Sequence, residues 1–156
     1  MKVVIGSDGA GFQLKEEIRR HLMETGHEVL DLGTRELEHA LTYIKAADNV
    51  SQAVLEGRAE RGIVFCGSGS GVAIVANKHK GIYCVPAESL WSACKARFIN
   101  NANVLALGGS ILGAAMARDM ADIFLHTEFH GGAAPERAAV LENLLAEVKE
   151  LEDQLF

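Results

Sequence analysis

Two glycine-rich loops hold the residues of this chain that are best suited to chemistry. The segments Cys66-Gly67-Ser68-Gly69-Ser70-Gly71 and Gly6-Ser7-Asp8-Gly9-Ala10-Gly11 each end a short apolar run. Glycines at alternate positions let backbone N–H groups converge on an anion, and a following helix adds the positive end of its dipole. The segment that starts at Cys66 is therefore a candidate cradle for a phosphate or an oxyanion. It lacks the lysine of a P-loop and the full dinucleotide fingerprint. The alternative is a tight strand-to-helix turn without a ligand.

Cys66 is the residue of this loop that could act on a substrate. It stands at the start of a helix and beside several N–H groups, an environment that stabilises a thiolate. No histidine is placed by the sequence to pair with it as in a cysteine protease. Proton abstraction next to a carbonyl, with the oxyanion held by adjacent amides, is the better match. Cys84 and Cys94 are interpreted as packing residues without reactivity.

The other polar candidates leave alternatives open. Asp8 could orient a substrate hydroxyl or shuttle a proton, or it could only cap the first helix. We expect three histidines at the surface or at strand edges, whereas three others follow or precede turns and could face a cleft: His21, His27 and His39 in the first group, His79, His126 and His130 in the second. No histidine pair has a recognised metal-ligand spacing, and the three cysteines lack C-x-x-C spacing, so we expect neither a metal nor a disulfide.

The elements that would position these residues alternate between short apolar runs and amphipathic helical segments. This alternation is typical of a parallel sheet covered by helices on both faces. Five strands are predicted, at Lys2 to Gly6, His27 to Asp31, Gly62 to Phe65, Ile82 to Val85 and Val104 to Leu107. Apolar stripes predict a first helix through Phe12, Leu14, Ile18 and Leu22 and a second through Ala46, Val50, Ala53 and Val54. Ligands of such sheets bind at the carboxyl ends of the strands, where both glycine-rich loops lie.

A terminal helix is predicted from Pro135 onward. Its apolar residues recur at alternating spacings of three and four, at Leu141, Leu144, Val148, Leu151 and Leu155. This seam could pack on the chain's own sheet or on a second subunit, because the spacing is that of a heptad repeat.

Composition narrows the class of protein. With 156 residues, 49% of them hydrophobic, the chain is expected to form one domain over residues 1–156. A net charge of -6 without a basic run argues against nucleic acid and anionic membranes as partners. No long apolar stretch or signal-peptide pattern is present, so we expect a soluble, cytoplasmic protein.

The motifs resemble one known family over nearly the whole chain, the ribose-5-phosphate isomerase B and galactose-6-phosphate isomerase family. The most specific match is C-G-S-G-S-G followed by A-N-K. The supporting matches are G-S-D-G-A-G-F-Q-L-K, D-L-G-T, N-N-A-N-V-L-A-L-G-G and F-H-G-G. The resemblance implies a Rossmann-like three-layer α/β sandwich and no metal or organic cofactor. It also implies a homodimer or homotetramer with active sites between subunits, and a sugar phosphate as substrate.

By this resemblance, Cys66 is the base that moves a proton between C1 and C2 through a cis-enediolate. Ser68 and the loop amides would stabilise the enediolate oxygen, a role that agrees with the analysis of the residues alone. The resemblance also implies substrate-binding positions at Asp8, Gly9, Tyr43, Gly67, Gly69, Ser70, Gly71, Asn100 and Arg137. Among these, Arg137 would bind the phosphate and reach a neighbouring subunit's site.

Four positions depart from the family pattern. Gly9 and Ile99 stand where ribose-specific enzymes have histidines, and Ser110 and Ala133 replace phosphate-binding arginines. Because isoleucine cannot transfer a proton, ring opening by the usual route is not expected. Three hypotheses follow. The preferred one is an isomerase of a short, open-chain sugar phosphate. The others are a subunit of a hetero-oligomer that resembles galactose-6-phosphate isomerase, and a sugar-phosphate-binding protein without catalysis, in which His130 could replace a lost phosphate ligand.

Overall fold

The computed structural model describes residues 1–156 and contains five strands and six α-helices. The strands are β1 (Lys2–Ser7), β2 (Glu28–Asp31), β3 (Arg61–Cys66), β4 (Cys84–Pro86) and β5 (Val104–Gly108). The helices are α1 (Phe12–Glu24), α2 (Tyr43–Leu55), α3 (Ser70–Ala76), α4 (Leu90–Phe98), α5 (Ala114–His126) and α6 (Pro135–Leu155), and a short 3-10 helix spans Leu37–His39.

All five strands pair in parallel, in the order β2-β1-β3-β5-β4. The three central strands are buried on both faces, which explains their continuous apolar runs. Helices α2 and α3 contact each other on one face, and α5 contacts both α1 and α4 on the other. The predicted Rossmann-like three-layer α/β fold with a five-stranded parallel sheet is therefore confirmed.

The central strands extend one residue further than predicted at their carboxyl ends. Ser7 pairs with Phe65, and Cys66 pairs with Gly108. Ladder pairing thus continues into the start of each predicted loop, through Ser7 in the first and through Cys66 in the second. As a result, Cys66 is the last residue of β3, and its backbone is fixed by the sheet.

Helix α6 forms as predicted, but little of its apolar seam packs on its own chain. Leu141 is fully buried, whereas Leu144 is 49% exposed and Leu151 is 55% exposed. Near the carboxyl end, Glu152 accepts hydrogen bonds from the Gly81 N–H at 2.7 Å and the Tyr83 hydroxyl at 2.9 Å. Burial, followed by the contact with Glu152, raises the pKa of Tyr83 to about 12. Packing of the remaining seam on a second subunit stays a prediction. No helix in the structure has the length and apolar character that crossing a bilayer requires.

Candidate active site

The carboxyl ends of β1, β3 and β5 lie side by side, and the loops that follow them are bonded to one another. The Asp8 N–H donates to the Phe65 carbonyl at 3.3 Å. From the other side, the Gly109 N–H donates to the Cys66 carbonyl at 2.8 Å, and the Ser110 N–H donates to the Gly67 carbonyl at 2.9 Å. The three loops therefore form one rigid surface around the end of β3.

Glycine is required where these loops meet. A Cβ at Gly11 would lie 2.6 Å from the carbonyl carbon of Phe65 and 2.8 Å from the Cys66 nitrogen. A Cβ at Gly108 would lie 2.8 Å from the Ser68 carbonyl. Both contacts are with backbone atoms, which cannot rotate aside. The first loop can therefore pack directly against the backbone of Cys66 only because residue 11 has no side chain.

Cys66 forms the floor of the site. Its side chain is buried, and the Gly69 N–H donates to Sγ at 3.1 Å. Gly69 has φ +80°, a left-handed conformation that turns its N–H back toward the sulfur and favours glycine. The Ser68 side chain is exposed at the rim, where its Oγ accepts from the Ser70 N–H at 3.2 Å. The loop therefore presents a thiol, a hydroxyl and several amides.

Asp8 stands at the neighbouring rim. Its Oδ1 accepts from the Gly11 N–H at 2.8 Å, one residue before α1 begins. The second carboxylate oxygen has no hydrogen-bond partner in the protein. The alternative of a purely capping role is therefore only partly met, because one oxygen orders the turn while the other is free to contact a ligand.

Residues 34–43, which we call the outer wall, close the site on the side of α2. A Cβ at Gly71 would lie 3.0 Å from the Tyr43 ring, so the ring packs flush against the Cys66 loop. A Cβ at Gly9 would lie 3.2 Å from Cβ of Ala40. Ala40 thus restricts the space for a residue-9 side chain. Tyr43, Gly9, Asp8 and the Cys66 loop are brought together as the sequence analysis anticipated.

Two expected substrate contacts lie elsewhere in the chain. Asn100 follows α4 and precedes β5, so it lies at the amino edge of the sheet, opposite Cys66. With Ile99 it lines a separate groove of about 350 Å³ against Leu144 and Val148 of α6. Arg137 is exposed in the first turn of α6, which follows a loop bonded to the Phe98 carbonyl. One chain alone does not bring Asn100 or Arg137 to the thiol.

Two of the three histidines considered for a cleft contact another element, and the third bonds within its own helix. His79 bonds to Asp48 at 2.8 Å, and Nε2 of His130 lies 3.0 Å from a carboxylate oxygen of Glu142. His126 is exposed and bonds to the Asp122 carbonyl at 2.8 Å. None of these bonds involves the loops around Cys66. His130 already holds a carboxylate, which opposes the guess that it binds an anionic substrate.

Asn77 and Cys84 have structural roles at the edge strand β4. Asn77, from A-N-K, donates to the Cys84 carbonyl and accepts from the Cys84 N–H, both at 2.8 Å, and so secures the edge strand β4. Burial raises the pKa of Cys84 to about 12, which keeps it a neutral thiol, in line with the expected packing role. No three His, Cys, Asp or Glu side chains converge as a metal site.

Comparison with known proteins adds independent information. Residues 3–141 match the family model described as Ribose/Galactose Isomerase. The chain is 40% identical over 156 residues to 4-deoxy-4-sulfo-D-erythrose isomerase of Clostridium sp. (strain MSTE9), covering 100% of this chain and 98% of that protein. It is 39% identical over 140 residues to ribose-5-phosphate isomerase B of Escherichia coli (strain K12), covering 90% and 93% of the two chains.

A solved structure gives the same result. The fold superimposes on ribose-5-phosphate isomerase B of Clostridium thermocellum with a TM-score of 0.90, at 38% identity and with 100% of both chains covered. The sequence match and the structural match both extend over the full length of the chain. The chain belongs to the ribose/galactose isomerase family of sugar-phosphate aldose-ketose isomerases.

Proposed function

We propose that this protein interconverts a four-carbon aldose that carries a terminal anionic group with the corresponding ketose, through a cis-enediolate, with Cys66 as the base. The observation that carries the proposal is the Gly69 N–H fixed on the Cys66 sulfur at 3.1 Å, at the floor of an amide-lined loop. This arrangement holds a proton acceptor beside donors for a developing oxyanion, which is what enolisation needs.

The reaction moves one proton from C2 of the sugar to the neighbouring carbon C1. The Cys66 thiolate removes the proton from C2 of the aldose, and the C2–H electrons form the C1–C2 double bond while O1 becomes the oxyanion. Ser68, exposed at the rim, relays a proton from the C2 hydroxyl to O1. The thiol then returns its proton to C1, so that C2 becomes the carbonyl and the thiolate is restored. The amides of the Cys66 loop stabilise the negative charge between these steps.

A short substrate fits the two positions without acid-base groups. Gly9 has no side chain, and Ile99 is apolar. A tetrose that is substituted at C4 cannot close a furanose ring through O4, so it reaches the site as an open-chain aldehyde and requires no acid for ring opening. The full-length similarity to an isomerase of 4-deoxy-4-sulfo-D-erythrose supports this substrate length.

Ser110 bears on the charge of the terminal group, because it stands where the family pattern has a phosphate-binding arginine. Its backbone is bonded to Gly67 inside the site, and its side chain is a neutral hydroxyl. A phosphate ester carries about -1.5 to -2 at pH 7, whereas a sulfonate carries a single charge and needs fewer cations around it. We therefore rank a sulfonate above a phosphate as the terminal group.

The test is proton NMR in deuterated water with four-, five- and six-carbon aldose phosphates and with 4-deoxy-4-sulfo-D-erythrose. We expect deuterium at C1 of the ketose from the sulfonate first, and from erythrose 4-phosphate more slowly. Cys66→Ala should lower the rate by about 10²- to 10⁴-fold, the usual contribution of a general base. Cys94→Ala, at a half-buried cysteine on α4, is the matched control and should retain the rate.

Two results would contradict the proposal. One is turnover of ribose 5-phosphate at an ordinary enzymatic rate with no exchange in any four-carbon compound. The other is sugar-phosphate binding without exchange at C2, which would indicate a binding protein.

A second candidate function is the subunit of a hetero-oligomer, favoured by the separation of Asn100 and Arg137 from Cys66. Activity that appears only when a related chain is added would establish that candidate.

A further inference from the structure

Lys15 is a buried cation that the mechanism does not use. It lies in the first turn of α1 with a side chain that is 0% exposed. Its ammonium contacts the Asp31 carboxylate, the Glu16 carboxylate at 3.0 Å and the Thr34 carbonyl at 2.6 Å. Burying an ammonium is costly and requires a complete set of partners. Each of its contacts outside α1 lies at the end of β2 or in the turn that follows it.

The contacts of Lys15 continue directly into the outer wall. The Thr34 N–H and hydroxyl both donate to the Ser7 carbonyl, at 2.9 and 2.8 Å. The Thr34 hydroxyl oxygen also accepts from the Leu41 N–H at 3.0 Å. Leu41 immediately precedes the helix cap Thr42 and the pocket residue Tyr43. One residue thus ties the beginning of the outer wall to its end, and Lys15 holds the carbonyl of that residue.

We propose that Lys15 is a positioning residue for substrate binding, because it fixes the outer wall that carries Ala40 and Tyr43. The inference rests on the proposed function, since it assigns these two residues to the substrate side of the isomerase site. Ala40 faces Gly9, and Tyr43 faces Gly71, so a shift of the outer wall changes its distance from the loops that follow β1 and β3. Lys15 acts on the substrate through the wall and does not touch the reacting carbons.

The bonds that hold the Cys66 loop do not involve Lys15. The position of this loop is set by bonds to the loop after β5, from Gly109 to Cys66 and from Ser110 to Gly67. Loss of the Lys15 contacts should therefore weaken substrate binding more than it slows proton transfer. This difference between KM and kcat separates a positioning role from general damage to the site.

The variant for the test is Lys15→Met combined with Asp31→Asn. Lys15→Met alone would leave the Asp31 carboxylate, 13% exposed, without its cation, and could fail to fold. The asparagine keeps the acceptor that Asp31 Oδ1 offers to the Gly33 N–H at 3.0 Å. We expect KM to rise about tenfold while kcat changes by less than about threefold. Peptides covering residues 34–43 should exchange amide hydrogens faster, and those covering 66–71 should not.

The matched control is His21→Gln with Asp122→Asn. His21 also lies on α1, but its Nε2 bonds to Asp122 Oδ1 of α5 at 2.8 Å and not to the outer wall. The control should lower thermal stability, by less than the Lys15 variant because the pair is partly exposed, and leave KM and the exchange of residues 34–43 unchanged. An unaltered KM or unaltered exchange in the Lys15 variant would overturn the inference. Amide hydrogen exchange requires no substrate, so it decides whether Lys15 fixes the outer wall even if the wild-type chain shows no turnover. Absence of turnover would count against the proposed function alone.

Discussion

At the scale of single residues, the site depends on close approach between backbones. Gly11 allows the loop after β1 to contact the Phe65–Cys66 peptide, and Asp8 orders the same loop through the Gly11 N–H at 2.8 Å. The position of Asp8 relative to the Cys66 thiol is therefore set by a glycine. A methyl group at this position would separate the two halves of the site.

Gly11→Ala should lower both stability and activity. The added methyl would lie within 3 Å of backbone atoms, so the loop must move, at a cost of about 1–3 kcal/mol for overpacking. Urea unfolding should report this loss, and kcat/KM should fall because Asp8 moves with the loop. Gly113→Ala is the matched control, since a Cβ there meets no atom within 4 Å. Equal effects of both substitutions would contradict the close-packing argument.

Residue types indicated the proposed base and its neighbours in the loops, but not the residues that support the site. Cys66, Ser68 and Asp8 were identifiable because they follow apolar runs in glycine-rich loops. Lys15 was not, because a lysine on an amphipathic helix ordinarily points to solvent, and only the folded chain brings Asp31 and Thr34 around it. Asn77 belongs to the A-N-K segment of the family motif, and only the folded chain shows that its side chain bonds to β4.

At the scale of elements, one polar contact joins the middle of α2 to the turn that follows α3. His79 Nε2 bonds to Asp48 at 2.8 Å, and its Nδ1 faces the Val75 and Ala76 carbonyls. Helix α2 begins with Tyr43, and α3 begins with Ser70 of the Cys66 loop. The contact therefore keeps the two helices that flank the pocket at a fixed spacing.

The Asp48–His79 contact should stabilise the protein in a pH-dependent way. The hydrogen bond from His79 is the main cause that holds the pKa of Asp48 below its ordinary value of 3.8, against a smaller opposing effect of burial. The stabilisation is thus present above pH 3.8 and is lost as the pH falls through the lowered folded-state value. Asp48→Asn should lower the free energy of unfolding by up to about 1 kcal/mol at pH 7.

Urea unfolding at a series of pH values checks this expectation. The difference in the free energy of unfolding between wild type and Asp48→Asn should be present above pH 3.8 and shrink as the pH falls below it. Gln52→Ala, which removes a second partner of Asp48 but leaves His79 in place, is a control expected to have the smaller effect. A difference that persists unchanged well below pH 3.8 would show that the contact does not favour the ionised carboxylate.

The strands were predictable because each is an apolar run with a parallel neighbour, whereas the outer wall was not. Residues 34–43 hold one short 3-10 helix and are mostly exposed, so no periodic pattern marks them. Their order comes from Thr34, whose bonds reach Ser7, distant in sequence. The seam of α6 was predictable as a pattern, but the pattern could not say that Leu141 alone would be buried in its own chain.

At the scale of the whole molecule, the predicted site residues divide between opposite edges of the sheet. Cys66, Asp8 and Tyr43 lie at the carboxyl edge, and Asn100 lies at the amino edge beside the exposed seam of α6. In a closed two-fold dimer, a residue i of one chain that contacts residue j of the other is matched by residue j of the first chain contacting residue i of the second, so each pairing occurs twice. Two copies could therefore form two complete sites, each with the thiol of one chain and the Asn100 of its partner.

Mixing two inactive variants tests this arrangement. Cys66→Ala and Asn100→Ala should each abolish most activity alone, whereas a co-expressed mixture contains dimers in which one site carries both defects and the other carries neither. With random pairing, about half of the dimers are mixed, so about a quarter of all sites are complete and activity should return to that fraction. A mixture of Cys66→Ala with Ser68→Ala is the control, because both residues belong to the same loop and no pairing can restore it. Recovery in the first mixture and not in the second requires a site built from two chains, whereas an inactive first mixture would show that Asn100 of one chain does not complete the Cys66 site of another.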